Sequence, residues 1–209
     1  MDLSDCEILK DNSARSDVLF KVVLIGSGSV GKSCILLRAA KNEFKEIYSV
    51  TIGTDMCSIF IKYQERIIEL QIWDTAGMEQ FRSMIRVFFN GAHAVILVYD
   101  ITRKETFDAL DSWLKMAQET APSDVKLLLV GNKSDDEENR QVSKEMGQGY
   151  MNNIGIEKYI ETSAKTGQGI KDLFKKIAKE LYLDELKTGS QLPGGQKLGG
   201  RTESKQGCC

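Results

Sequence analysis

The sequence predicts an α/β fold: a six-stranded, mostly parallel sheet with one antiparallel edge strand and helices on both faces. Three observations carry this. Five short apolar runs and a shorter sixth are strand-sized. Segments of helical period separate the later runs, which implies parallel strands joined by crossovers. Two runs, Val95-Ile96-Leu97-Val98 and Leu127-Leu128-Leu129-Val130, are continuously apolar, as strands buried on both faces are.

The runs fall at 19–25, 57–63, 67–73, 94–99, 125–130 and 158–161. Only the polar Gln64-Glu65-Arg66 separates the second from the third, which suits a hairpin and hence the antiparallel edge. Phe107, Leu110, Trp113 or Leu114, and Ala117 recur at helical spacing, as do Ile170, Leu173, Phe174, Ile177 and Leu181. Residues 102–105 and 166–171 supply polar helix starts. Past Lys187 the pattern stops in glycine, serine and glutamine, composing a flexible tail. The predicted organisation is a short polar N-terminal extension (1–17), an α/β domain (18–186) and a tail (187–209).

Composition narrows the function. An apolar fraction of 42% supports a real core and excludes a disordered chain. A net charge of −2 excludes a protein that grips nucleic acid by its backbone charge. The apolar runs fall far short of the ~20 residues that span a bilayer. Asp2, Asp5, Glu7, Asp11 and Asp17 occupy a leader without an apolar stretch, so no signal peptide is expected there. The five cysteines are then expected to be reduced, in a soluble cytoplasmic protein.

Directly after the first strand comes Gly26-Ser27-Gly28-Ser29-Val30-Gly31-Lys32-Ser33, followed by the apolar start of a helix at Cys34. This is G-x-x-x-x-G-K-[ST] between a strand and a helix. Its glycines let backbone N–H groups crowd around phosphate oxygens, and the helix start adds partial positive charge. Lys32 then sits over the terminal phosphates and the Ser33 hydroxyl ligates Mg²⁺. Asp74 ends the third strand, where a carboxylate can serve the same cation, and Gly77 can bring an N–H to the γ-phosphate.

Two further loops follow strands: Asn132-Lys133-Ser134-Asp135 and Ser163-Ala164-Lys165. A carboxylate accepts two hydrogen bonds from guanine N1–H and N2–H₂ but faces a bare lone pair on adenine, so Asp135 selects guanine. Asn132 and the Lys133 stem support the loop and cover the ring, and the Ala164 N–H can meet guanine O6. All these motifs sit at the carboxyl edge of the predicted sheet, where ligands of open α/β folds bind.

The chain resembles a small GTPase of the Ras superfamily, and more narrowly the Rab family. The carriers are GSGSVGKS (26–33), TIG (51–53), WDTAG (73–77), GNKSD (131–135) and ETSAK (161–165), with ELQIW (69–73) and LVYDIT (97–102) narrowing it. The resemblance implies a P-loop NTPase G domain that binds GTP and GDP with Mg²⁺. It implies that Thr51 ligates Mg²⁺ and contacts the γ-phosphate, that Phe44 packs on guanine, and that Cys34 and Tyr48 join the nucleotide contacts. It makes Lys32, Thr51 and Gly77 the residues acting on the γ-phosphate.

Met78 departs from the pattern, which places a glutamine there to orient the attacking water. A thioether accepts weakly and cannot donate, so intrinsic hydrolysis is expected to be slow. Gln80 falls two residues late. By resemblance, Rab activating proteins supply an arginine and a glutamine of their own, and Gly28 would not obstruct such an arginine. Met56 and Asn90 stand where Rab proteins carry Phe and Arg, which bears on effector choice.

Terminal Cys208-Cys209 is not a C-a-a-X box; it resembles the Rab substrate for double geranylgeranylation. Two lipids anchor firmly where one does not. The resemblance thus implies a membrane-anchored switch in vesicle trafficking, on the cytoplasmic face of an intracellular membrane and cycling with a cytosolic pool. Its implied partners are an exchange factor, an activating protein, effectors at the switch regions, Rab escort protein and GDP-dissociation inhibitor; nucleic acid is not among them, and the chain is expected to be monomeric. Competing readings are a GTP-locked interaction module, a Ras-superfamily signalling GTPase outside trafficking, and a P-loop nucleotide kinase, against which the guanine loops argue. The lone His93 opens a strand and is read as structural.

Overall fold

The computed structural model describes residues 3–9, 15–44, 54–75, 86–156 and 158–188. In chain order the elements are β1 (Cys6–Ile8), β2 (Val18–Ile25), α1 (Lys32–Lys41), β3 (Thr54–Tyr63), β4 (Arg66–Thr75), β5 (Ala94–Asp100), α2 (Lys104–Asp108), α3 (Leu110–Thr120), β6 (Lys126–Asn132), α4 (Lys144–Asn153), β7 (Tyr159–Thr162) and α5 (Ile170–Thr188). Among the described residues no helix is long and apolar enough to cross a membrane.

The strands form one sheet in the order β1-β3-β4-β2-β5-β6-β7. From β4 through β7 every pairing is parallel, and the β3–β4 hairpin is antiparallel. The expectation of six strands with β3 at the edge is corrected: among the described residues there are seven, and β3 is internal. Cys6, Glu7 and Ile8 pair antiparallel with Tyr63, Lys62 and Ile61. Part of the supposed polar extension therefore belongs to the sheet. A three-residue strand carries little propensity, so tertiary contacts hold it. Cys6 is buried, Glu7 faces Lys62, and Asp5 receives the Lys179 ammonium of α5 at 2.7 and 2.8 Å.

Burial on both faces follows from the period-2 pattern of β2 and β5. Phe20, Val22, Leu24, Ile96 and Val98 face a core closed by Ile35 and Leu36 of α1 and Leu173, Phe174 and Ile177 of α5. Val23, Ile25, Val95, Leu97 and Tyr99 face a second core closed by Leu110, Trp113 and Ala117 of α3 and Met151 of α4. Each large apolar side chain so buried contributes roughly 1.5–3 kcal/mol. The helical period read from Phe107 to Ala117 spans two helices, because the chain breaks at Ala109.

The sequence pattern did not announce α4, whose Gly147 and Gly149 weaken it. Gly147 is required by packing: an added Cβ would lie 2.5 Å from the Tyr159 ring and 2.8 Å from the Tyr99 hydroxyl. His93 holds strands together as expected, its Nδ1 accepting from the Lys21 N–H at 2.9 Å.

Candidate functional site

The phosphate loop, the end of β4, and the loops after β6 and β7 meet at the carboxyl edge of the sheet. The first turn away from β2 needs Gly26, whose φ is +142°. A Cβ there would stand 2.1 Å from the Val98 carbonyl oxygen. Ser29 takes φ +60°, a left-handed conformation costing a non-glycine residue about 1 kcal/mol. Gly31 closes the loop at φ +98° and caps α1.

Lys32 is buried, and its Nζ reaches back across the loop to the carbonyls of Gly26 at 2.8 Å and Ser27 at 2.9 Å. Burial pushes its pKa down to about 8, with the Asp74 charge acting against the shift. The ammonium is thus held against two carbonyl oxygens at the start of the loop. Cys34 follows on α1; burial and then Asp74 raise its thiol pKa, so it is no activated nucleophile.

The Ser33 hydroxyl donates to Asp74 Oδ2 in a short hydrogen bond. Asp74 is 2% exposed. Burial raises its carboxyl to about 6, against the opposing effects of the Ser33 bond and Lys32. Among the described residues its Oδ1 has no hydrogen-bond partner. A hydroxyl and a buried carboxylate with an unsatisfied oxygen form a hard-oxygen donor set that fits Mg²⁺.

Asn132 ties the site together. Its Nδ2 donates to the Val30 carbonyl at 2.9 Å, while its Oδ1 accepts from the Thr162 hydroxyl and the Ala164 N–H, each at 3.2 Å. Gly31 leaves room for this side chain, since a Cβ would sit 2.3 Å from Nδ2. The Ala164 N–H expected to meet a base oxygen is therefore already engaged, by a long bond that a base carbonyl can share. Asp135 is exposed, and the buried Ser163 hydroxyl donates to its Oδ1 at 2.5 Å. That contact orients an acceptor beside the loop after β7.

Lys133 adopts φ +68° and turns its Nζ onto Asp100 Oδ2 at 2.6 Å. Phe44 is half-buried and packs against the core beside α1. Tyr48, Thr51, Gly77, Met78, Cys208 and Cys209 lie outside the described residues. The structure thus brings together the phosphate loop, Asp74, Asn132, Lys133, Asp135 and residues 163–165.

Several participants escaped the sequence reading. Arg38 of α1 donates from Nε to the Ala164 carbonyl at 2.9 Å and from Nη2 to the Lys165 carbonyl at 2.7 Å, fastening the base loop to the helix behind the phosphate loop. Trp113 reaches Ser27 Oγ from Nε1 at 3.4 Å. Asp100 is fully buried at the end of β5. Burial alone would raise its pKa, but hydrogen bonds from Lys133 and from the Thr102 hydroxyl and N–H hold it below the ordinary value. A carboxylate ending a wholly apolar strand was a usable signal, since a buried charge must be paired. Glu161 accepts from both arms of Arg140 at 2.8 and 2.9 Å and from the Tyr159 hydroxyl at 2.7 Å, buttressing β7.

Chemically, the arrangement offers a glycine-rich loop with a buried ammonium for phosphates, hard oxygens for a divalent cation, and a carboxylate oriented by Ser163. A family model described as Ras family matches residues 21–183, from within β2 into α5.

Proposed function

Because this chain belongs to the Ras family, whose members are small GTPase switches that bind GTP and GDP, generally with Mg²⁺, we propose that it is a Rab-like GTPase of vesicle trafficking. The observation that best supports its guanine-nucleotide pocket is the Asn132 side chain, bonded at once to the phosphate loop and to the loop bearing Ala164. In this reading Gly26 through Cys34 receive the phosphates, with Lys32 on the terminal ones. Asp135 accepts from guanine N1–H and N2–H₂, and Lys133, Ser163, Ala164 and Lys165 frame the base with Phe44 and Tyr48.

Ser33 and Asp74 would hold the magnesium, with Thr51 by resemblance. Held there, a magnesium ion would supply positive charge to offset that of the terminal phosphates. Met78 lacks the donor that would orient water, so intrinsic hydrolysis is slow and relies on a partner's residues. Residues 69–73 and 97–102 support the Rab assignment, and Cys208-Cys209 supports double prenylation. The chain then resides on the cytoplasmic face of an intracellular membrane and cycles through a cytosolic pool. The partners follow from the same resemblance: exchange factor, activating protein, effectors, escort protein and dissociation inhibitor.

Calorimetry on the purified chain tests the pocket: GDP and GTP bind in the presence of magnesium and ATP does not. Equal binding of ATP removes the guanine assignment. Single-turnover hydrolysis tests Met78. The expected result is a slow rate that rises roughly a hundredfold in Met78→Gln, the low end of what a positioned proton-transfer group contributes. An unchanged rate removes the role given to that position. A tagged chain lacking Cys208-Cys209 is expected to leave the membrane fraction; persistence there counts against the lipid anchor.

A further inference from the structure

Arg103 joins the phosphate loop to the end of β5. It lies just before α2 with extended backbone, and its side chain does not cap that helix. Its Nε donates to Asp100 Oδ2 at 3.0 Å, and its Nη2 donates to the Gly28 carbonyl at 2.9 Å. The fully buried Asp100 carboxylate is itself pinned by the Thr102 N–H at 3.0 Å, the Thr102 hydroxyl at 2.7 Å and Lys133 Nζ at 2.6 Å. The guanidinium is therefore aimed by a rigid base rather than by solvent.

The peptide group it grips matters. A trans peptide directs its C=O and its N–H to opposite sides, and the described residues contain no cis peptide. Pinning the Gly28 oxygen on the guanidinium therefore turns the Ser29 N–H the opposite way, away from Arg103. Ser29 needs such a restraint, because its φ of +60° is one that a serine adopts at a cost. A charge-assisted hydrogen bond to a neighbouring carbonyl offsets that cost locally.

We propose that Arg103 is a positioning residue of the nucleotide site: by holding the Gly28 carbonyl it presets the Ser29 N–H for the phosphates beyond the first. This rests on the nucleotide-binding reading above and adds a residue to it. Through Asp100 the same clamp shares an anchor with Lys133, so the phosphate loop and the base loop are set from one carboxylate.

The test compares two nucleotides on the full chain with magnesium, GDP and guanosine monophosphate, by calorimetry. Arg103→Ala leaves Asp100 paired with Lys133, so no buried charge is stranded and the variant folds. GDP affinity is expected to fall about tenfold, the loss of one hydrogen bond to a charged donor, with monophosphate affinity unchanged. Arg103→Lys, which cannot span both acceptors with a planar fork, is expected to fall between wild type and Ala. Equal weakening of both nucleotides would show a general structural role and overturn the proposal, as would an unchanged GDP affinity or a Lys variant no better than Ala. Should the wild-type chain bind neither nucleotide, the pocket assignment itself fails, a result distinguishable from any behaviour of the variants.

Discussion

Asn132 donates its side-chain N–H to the Val30 carbonyl at 2.9 Å, across 102 positions of sequence. With its Oδ1 occupied by Thr162 and Ala164, one almost fully buried amide satisfies three partners from two other segments. No hydrophobic residue can replace it, since each partner would then be buried without a bond.

Asn132→Ala is expected to lower stability by roughly 2–3 kcal/mol, the cost of orphaned buried polar groups. Urea denaturation monitored by tryptophan fluorescence measures it. Asn132→Asp keeps the acceptor but sets a carboxylate oxygen against the Val30 carbonyl, so it is expected to be at least as damaging. A loss under 0.5 kcal/mol in either variant would show that the bridge is dispensable.

The Ser33–Asp74 pair predicts how nucleotide release responds to magnesium. In the wild-type chain, chelation is expected to accelerate GDP release by an order of magnitude or more, since a cation clamp on phosphate oxygens is lost. In Ser33→Ala release is expected to be fast already and to respond little to chelator. Stopped-flow release of a fluorescent GDP analogue reads both; a full chelator response in the variant would remove Ser33 from the cation site.

Gly147→Ala would ordinarily strengthen a helix by about 1 kcal/mol. Here the new Cβ meets the Tyr159 ring at 2.5 Å and the Tyr99 hydroxyl at 2.8 Å. Those rings stack and share a hydrogen bond of 2.8 Å, leaving little room to withdraw. A net loss of about 1–3 kcal/mol is expected from overpacking. A rise in Tm would contradict the close packing of α4 on β5 and β7.

Tyrosine ionisation gives an alkaline limit. Burial raises Tyr99 to about 12, and burial together with neighbouring acceptors raises Tyr150 and Tyr159 as well. A folded-state pKa above that of the unfolded chain means stability is intact below pH ~10 and is lost as pH climbs toward the folded value. For Tyr99 the loss is about 3 kcal/mol. Absorbance at 295 nm is expected to show late tyrosine ionisation coinciding with unfolding. Complete reversible ionisation near pH 10 with the fold intact would refute the buried Tyr99–Tyr159–Glu161 chain.

Much of the site was legible because its chemistry is local. Phosphate binding needs consecutive glycines, a lysine and a serine at set intervals, so Gly26 through Ser33 could be read from adjacency alone. The proposal that Asp135 selects guanine rests on what a carboxylate can accept. The parallel order of the strands followed from apolar runs alternating with helical periods. The edge did not: Cys6–Ile8 is too short and too acidic to read as a strand, and it pairs because β3 leaves backbone groups open and Lys179 waits for Asp5. Arg38 and Arg103 carry no local pattern that ties them to the loops they hold, since their partners lie 126 and 75 positions away. The sequence by itself thus determined which chemistry the loops could perform, since that depends on residue types a few positions apart. The tertiary structure alone decided what holds those loops in place, because hydrogen-bond partners are chosen by proximity in space, and folding brings residues 75 to 127 positions apart into contact.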